Sequence, residues 1–129
     1  MIGYVTLGTD DLDRSRAFYD ALFAEIGASR LMEMESGFTL YGIDWGKPAI
    51  AVTPPHDGKT ATAGNGNMIA IPMASRAQVD EFHAKGLELG GSDEGAPGLR
   101  GPEGDRAFYG AYLRDPEGNK LCAYRIGPS

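Results

Sequence analysis

The chain has 129 residues, a net charge of −6, 42% hydrophobic residues and one cysteine. That length suits one compact domain with a fair core, and the acidic balance argues against nucleic acid, whose phosphates need basic patches. A lone cysteine excludes an internal disulfide and suits a reducing cytoplasm; no apolar run is long enough to span a bilayer and no signal-peptide pattern is present, so a cytoplasmic protein without membrane association is expected. In chain order, Tyr4-Val-Thr-Leu reads as a short strand. Asp11 is a good N-cap, because its carboxylate can accept from the free N–H groups of a first helical turn. The helix it opens carries Leu12, Tyr19, Leu22, Phe23 and Ile26 on one face and stops at Gly27. Three strand-like runs follow, over Ala28–Glu35, Phe38–Ile43 and Pro48–Thr53. A linker rich in Gly, Thr and Pro spans Pro54–Asn67. Met68-Ile-Ala-Ile then reads as a strand, and Ser75 with Gln78 fits a capping box. The second helix carries Val79, Phe82, His83 and Leu87 on one face and ends before Gly90-Gly91. After a looser stretch come strands over Ala107–Arg114 and Asn119–Ile126, joined by the tight turn Asp115-Pro-Glu-Gly-Asn119.

This order repeats. Tyr4 and Met68, Asp11 and Ser75, and Phe18 and Phe82 are each separated by 64 positions. Such a period in a chain about twice as long means duplication, not a solenoid. The reading is α+β: two β-α-β-β-β modules, 1–63 and 64–129, within a single domain. Alternation along the strands puts Val5 and Leu7 toward the helix, and Tyr4 and Thr6 on the other face. Met68 and Ala70 take that other face in module two, as do Cys122 and Tyr124 on the last strand.

The opening Tyr4-Val-Thr-Leu-Gly-Thr-Asp-Asp-Leu-Asp-Arg-Ser-Arg-Ala-Phe-Tyr19, the middle Ser75-Arg-Ala-Gln-Val-Asp-Glu-Phe-His-Ala84 and the closing Arg114-Asp-Pro-Glu-Gly-Asn-Lys-Leu121 resemble the vicinal oxygen chelate superfamily. That group includes glyoxalase I, extradiol dioxygenases, fosfomycin resistance enzymes and bleomycin resistance proteins. The resemblance implies two modules whose mixed sheets curl into a cup, a homodimer, and a site inside the cup. It also implies a His at position 4, a His at position 68 and a Glu at position 122 as metal ligands. This chain has Tyr4, Met68 and Cys122 there, and Ala49-Ile-Ala-Val-Thr53 offers no further carboxylate. A phenol titrates near ~10 and is mostly protonated at neutral pH, and a thioether is soft and neutral. One thiolate alone would not hold a divalent ion. The expectation is therefore a cup without a divalent metal cofactor that binds or sequesters a small molecule, as bleomycin resistance proteins do. Tyr4, Met68, Cys122, Tyr41 and Tyr124 are the candidate ligand-binding residues. The alternative is a glyoxalase-like lyase or dioxygenase using other ligands, such as His56, Glu33 or Glu35.

Remaining residues read more plainly. His83 beside Phe82 suits helix packing, and Glu33 with Glu35 suits a charged strand edge. Trp45 and Tyr41 are expected near the mouth of the cup. Lys120 and Tyr124 on the face of Cys122 leave open an activated thiol. The glycine-rich stretch Gly95–Gly110 reads either as a lid or as a surface excursion.

Overall fold

The computed structural model describes residues 1–129. Module one runs β1 (Tyr4–Gly8), α1 (Leu12–Ala24), β2 (Ser29–Glu33), β3 (Thr39–Gly42) and β4 (Ala49–Thr53). Module two repeats it with β5 (Ile69–Pro72), α2 (Arg76–Glu88), β6 (Ser92–Leu99), β7 (Phe108–Arg114) and β8 (Lys120–Ile126). Each module forms its own four-stranded mixed sheet, ordered β1-β4-β3-β2 and β5-β8-β7-β6. In each, the first and last strands are parallel and the remaining pairs antiparallel. No strand pair joins the two sheets, so the modules stand in an open, non-barrel arrangement. No helix is long and apolar enough to cross a membrane.

The helices start where their caps predict. The Asp11 side chain accepts from Arg14 N at 3.1 Å, and Ser75 Oγ from Gln78 N at 3.1 Å. Gln78 reaches back to Ala74 N at 2.7 Å, one residue before the cap. α1 buries Phe18, Tyr19, Leu22 and Phe23, and α2 buries Val79, Phe82 and His83. Apart from His83, these side chains join Leu7, Tyr41 and Val52 of one sheet and Ile71, Leu113 and Leu121 of the other in one continuous core. Burying each such Leu or Phe is worth about 1.5–3 kcal/mol, so a shared core holds the modules together strongly. At its centre Leu22 faces Gly86, the residue 64 positions later. A Cβ on Gly86 would lie 2.2 Å from Leu113 Cδ1. The missing side chain therefore lets α2 lie close on its sheet while α1 supplies the bulk.

A second tie runs through the Asp115–Asn119 turn. Asp115 accepts from Tyr19 Oη at 2.6 Å, from Asn119 N at 2.8 Å and from Glu117 N at 2.9 Å. Asn119 Nδ2 donates to Gly8 O at 3.1 Å, and Glu117 Oε1 accepts from Thr9 Oγ1 at 2.7 Å, Arg14 Nη2 at 3.0 Å and Asp10 N at 3.1 Å. A carboxylate from module two thus sits at the amino end of α1, where exposed N–H groups and the helix dipole favour negative charge. Burial would raise the Glu117 pKa, but the bonds from Thr9, Arg14 and the backbone outweigh it and hold the group below the usual carboxylate range. Tyr19 is pushed the other way, well above a free phenol, first by burial and then by Asp115.

The loose stretch after α2 proves to contain a strand. Residues 95–99, expected as part of a lid or surface loop, belong to β6. Its sequence Ser-Asp-Glu-Gly-Ala-Pro-Gly-Leu has no β-branched residue, and its pairing with β7 shifts register twice. As an edge strand it can hold Pro97 without losing an internal ladder bond. Only the part between β6 and β7 remains loop, and Arg76 anchors it by pairing with Glu103 and donating to Gly127 O at 2.8 Å.

Candidate functional site

Each sheet has a helix-covered face and an open face. On β1, Val5 and Leu7 turn to the helix while Tyr4 and Thr6 are exposed, as alternation predicts. On β5, Ile69 and Ile71 turn inward and Met68, Ala70 and Pro72 are exposed. Tyr4 is 57% exposed, and its ring meets that of Phe38 edge-on at 5.8 Å. Met68 is 44% exposed and lines a cleft of about 450 Å³ between β1 and β5, with Thr6, Asn67, Asn119 and Lys120. Tyr124 is half-buried, stacked on Phe108 at 5.4 Å with the rings 7° from parallel.

Two candidates are corrected. Tyr41 does not line the open face: it is 1% exposed, packs on Tyr19 and Phe23, and donates to Asp20 Oδ1 at 2.8 Å. All four residues of β3 are buried, so alternation there carries no polarity signal. Register decides it: Leu40, opposite Ala51, takes the open side and Tyr41, opposite Ile50, the helix side. Burial, then the neighbouring Asp20, raises the Tyr41 phenol pKa, which suits a structural group. Cys122 has the predicted parity but is wholly buried, beneath neighbours that sequence alone could not place. Burial raises its pKa, only partly offset by Tyr112, Arg100 and Lys120, so the thiol is not activated.

The alternative ligands are engaged or remote. Glu33 pairs with Arg30 at 2.7 Å on the helix side of β2, and Glu35 lies in the turn after that strand. His56 is exposed in the turn after Pro55. His83 Nε2 is 3.0 Å from Asp93 Oδ1, and its ring is buried against α2's sheet, the packing role expected. Trp45 is 62% exposed in the turn between β3 and β4. No three His, Cys, Asp or Glu side chains converge anywhere. The donors at positions 4, 68 and 122 do not fit a divalent metal: a phenol, a soft thioether and a buried thiol with a raised pKa.

Tyr112 and Arg114, which the sequence reading did not single out, lie on module two's open face, beside Lys120 and Arg100. Tyr112 stands opposite Cys122 across β7 and β8. Arg100 lies over its ring with Cζ 5.4 Å from the centroid, and Lys120 Nζ is 5.5 Å from the same point. Arg114, two residues along β7, is held by Glu94 at 2.6 Å. The period-two spacing of Tyr112 with Arg114, and of Lys120 with Cys122, was the available signal. Arg100 had none, because it folds back across β6 from the loop beyond it.

The sequence pattern of the Glyoxalase/Bleomycin resistance protein/Dioxygenase superfamily matches residues 1–123. Among solved structures, a glyoxalase/bleomycin resistance protein from Albidiferax ferrireducens T118 is 37% identical over 97% of this chain and 98% of its own, with a TM-score of 0.84. A glyoxalase/bleomycin resistance protein/dioxygenase family enzyme from Burkholderia phytofirmans PsJN shares 22% identity over 96% and 97% of the two chains, with a TM-score of 0.73. Lactoylglutathione lyase from Agrobacterium tumefaciens shares 21% over 97% and 92%, with a TM-score of 0.67; at these lower identities the likeness is one of fold. No curated protein matches the chain. With its duplicated βαβββ architecture and this match along nearly its whole length, the chain belongs to the glyoxalase/bleomycin resistance/dioxygenase superfamily.

Proposed function

We propose that this protein binds or sequesters a small molecule on its open sheet faces without a divalent metal, and acts as a cytoplasmic homodimer. One observation carries the reading: the three positions that the resemblance marks as ligands hold groups unsuited to a divalent ion, while large apolar side chains stand exposed near Tyr4 and Met68. Ile2, Tyr4, Met32, Met68 and Ile126 are all large, apolar and at least 37% exposed. Exposed apolar surface beside a cleft is what a small-molecule site or a partner subunit covers. Pairing of two chains would cover part of it and turn open faces into a cup. The lyase named among the fold relatives shows that enzymes share this architecture, but Tyr4 and Met68 offer no base and no electrophile for that chemistry.

The test uses untagged protein. Elemental analysis is expected to find no stoichiometric nickel, zinc, iron or manganese. A thermal-shift screen of small metabolites and antibiotics is expected to find stabilising ligands whose effect weakens in Tyr4→Ala and Met68→Ala. A stoichiometric metal lost on mutating His56, Glu33 or Glu35 would overturn the reading in favour of a metal-dependent enzyme. Sedimentation is expected to give a dimer.

A further inference from the structure

Arg100 and Lys120 are the two cations beside Tyr112, and neither is ion-paired, whereas Arg114 on the same face is held by Glu94. Arg100 does not simply extend into water. Its Nη1 donates to Gly98 O at 2.9 Å and its Nη2 to Ala96 O at 2.7 Å. A Cβ on Gly95 would lie 2.9 Å from Tyr112 Cδ2 and 3.2 Å from Arg100 Nη2, and one on Gly98 3.3 Å from Arg100 Nη1. The two glycines therefore form a seat that lets the guanidinium lie flat against β6 and the Tyr112 ring. A side chain fixed this way has already lost its rotamer freedom before any ligand arrives. Lys120, half-buried on β8, brings a second charge to the same ring. Arg114 adds none, because Glu94 neutralises it. Both charges lie over the ring of Tyr112, which stands opposite Cys122, and this places them on one side of the sheet.

Apolar surface adjoins this charge. The Phe108–Tyr124 stack lies on the same face. Beyond Arg100 and Phe108 a cleft of about 390 Å³ opens toward the loop, lined there by Glu103, Asp105 and Arg106, so the anion head is placed at Tyr112 and not in that cleft. Ile126, opposite Phe108 on β8, is 47% exposed.

From this juxtaposition we infer that module two selects a small organic anion: a carboxylate, sulfonate or phosphate head held by Arg100 and Lys120 over Tyr112, with an aromatic or branched body against Phe108 and Tyr124. The inference deepens the small-molecule reading above and rests on it. Guanidinium and ammonium groups form charge-assisted hydrogen bonds with such heads, and neutral ligands forfeit them.

The test titrates the protein with 8-anilinonaphthalene-1-sulfonate and with N-phenyl-1-naphthylamine, which has the same rings and no charge. The sulfonate is expected to bind about tenfold or more tightly, the value of roughly one charge-assisted bond. Arg100→Gln with Lys120→Gln is expected to abolish that advantage and leave the neutral probe unchanged, while Arg100→Lys keeps part of it. Equal affinity for the two probes, or a sulfonate affinity untouched by the double substitution, would overturn the anion site and leave the small-molecule reading standing. Binding of neither probe would overturn both. Should the double variant not fold, the native protein still decides: sulfonate affinity must fall with added sodium chloride while the neutral probe's does not, and a flat response rejects the inference.

Discussion

The two modules agree behind their sheets and differ in front of them. On the helix side, apart from Leu22 and Gly86, matching buried positions keep matching roles. Phe18 and Phe82 are both buried, and Tyr19 and His83, also 64 apart, each bury a ring whose polar end meets an aspartate. On the open side the counterparts diverge. Leu40 opposite Ala51 in module one corresponds to Tyr112 opposite Cys122 in module two. Two residues before Ala51 stands Ala49, and two before Cys122 stands Lys120; two after Leu40 stands Gly42, and two after Tyr112 stands Arg114. Module one's open face is small and apolar, with Leu31, Phe38 and Leu40 around the alanines. Module two's is aromatic and cationic. Duplication preserved the side chains that fold the chain and let those on the open faces diverge.

The largest effect tests the conserved side. Phe18→Ala and Phe82→Ala should each lower unfolding free energy by about 3–5 kcal/mol in denaturant titrations. A large cost at one position and little at the other would break the equivalence of the two helix faces. Next comes the tie between modules. Asp115→Ala leaves the Tyr19 hydroxyl and turn N–H groups without their acceptor and should cost about 3 kcal/mol, with unfolding resolved into two steps if the shared core no longer holds the modules as one unit.

Glu117 gives a pH signature of the same tie. Its folded pKa lies below the free value, so its contribution is present at neutral pH and fades as pH falls through the carboxylate range. Glu117→Gln should cost about 1–2 kcal/mol at pH 7 and much less near pH 3, measured by urea unfolding at both. The smallest effect separates the faces. Tyr41→Phe should lower stability by about 1 kcal/mol through the lost bond to Asp20 and leave ligand affinity alone. Cys122 should react with a thiol reagent only slowly until the protein is unfolded; fast native labelling would mean that the open face is less closely covered than the geometry indicates.

Local signals in the sequence located most of the fold. The caps at Asp11 and Ser75, the apolar faces of both helices and the turn at Asp115–Asn119 all lie where residue chemistry puts them. Alternation placed Tyr4 and Met68 on the open side because their strands are covered on one face only. It offers no guide at Tyr41, whose strand is buried on both faces, and it could not show that Cys122 is covered from above. β6 was hidden by its glycines and proline; pairing with β7, a tertiary effect, makes it a strand. The anion seat was least legible, because Arg100 reaches Tyr112 only through the path of an irregular edge strand.

The joint between Leu22 and Gly86 lies at the back of the molecule, and so does the turn that grips the start of α1. Coupling of the halves therefore makes no demand on the side chains that look outward. Mutations there can accumulate in one half at a time while the frame stays intact. A duplicated protein fastened along its spine leaves two front surfaces that evolution can edit independently.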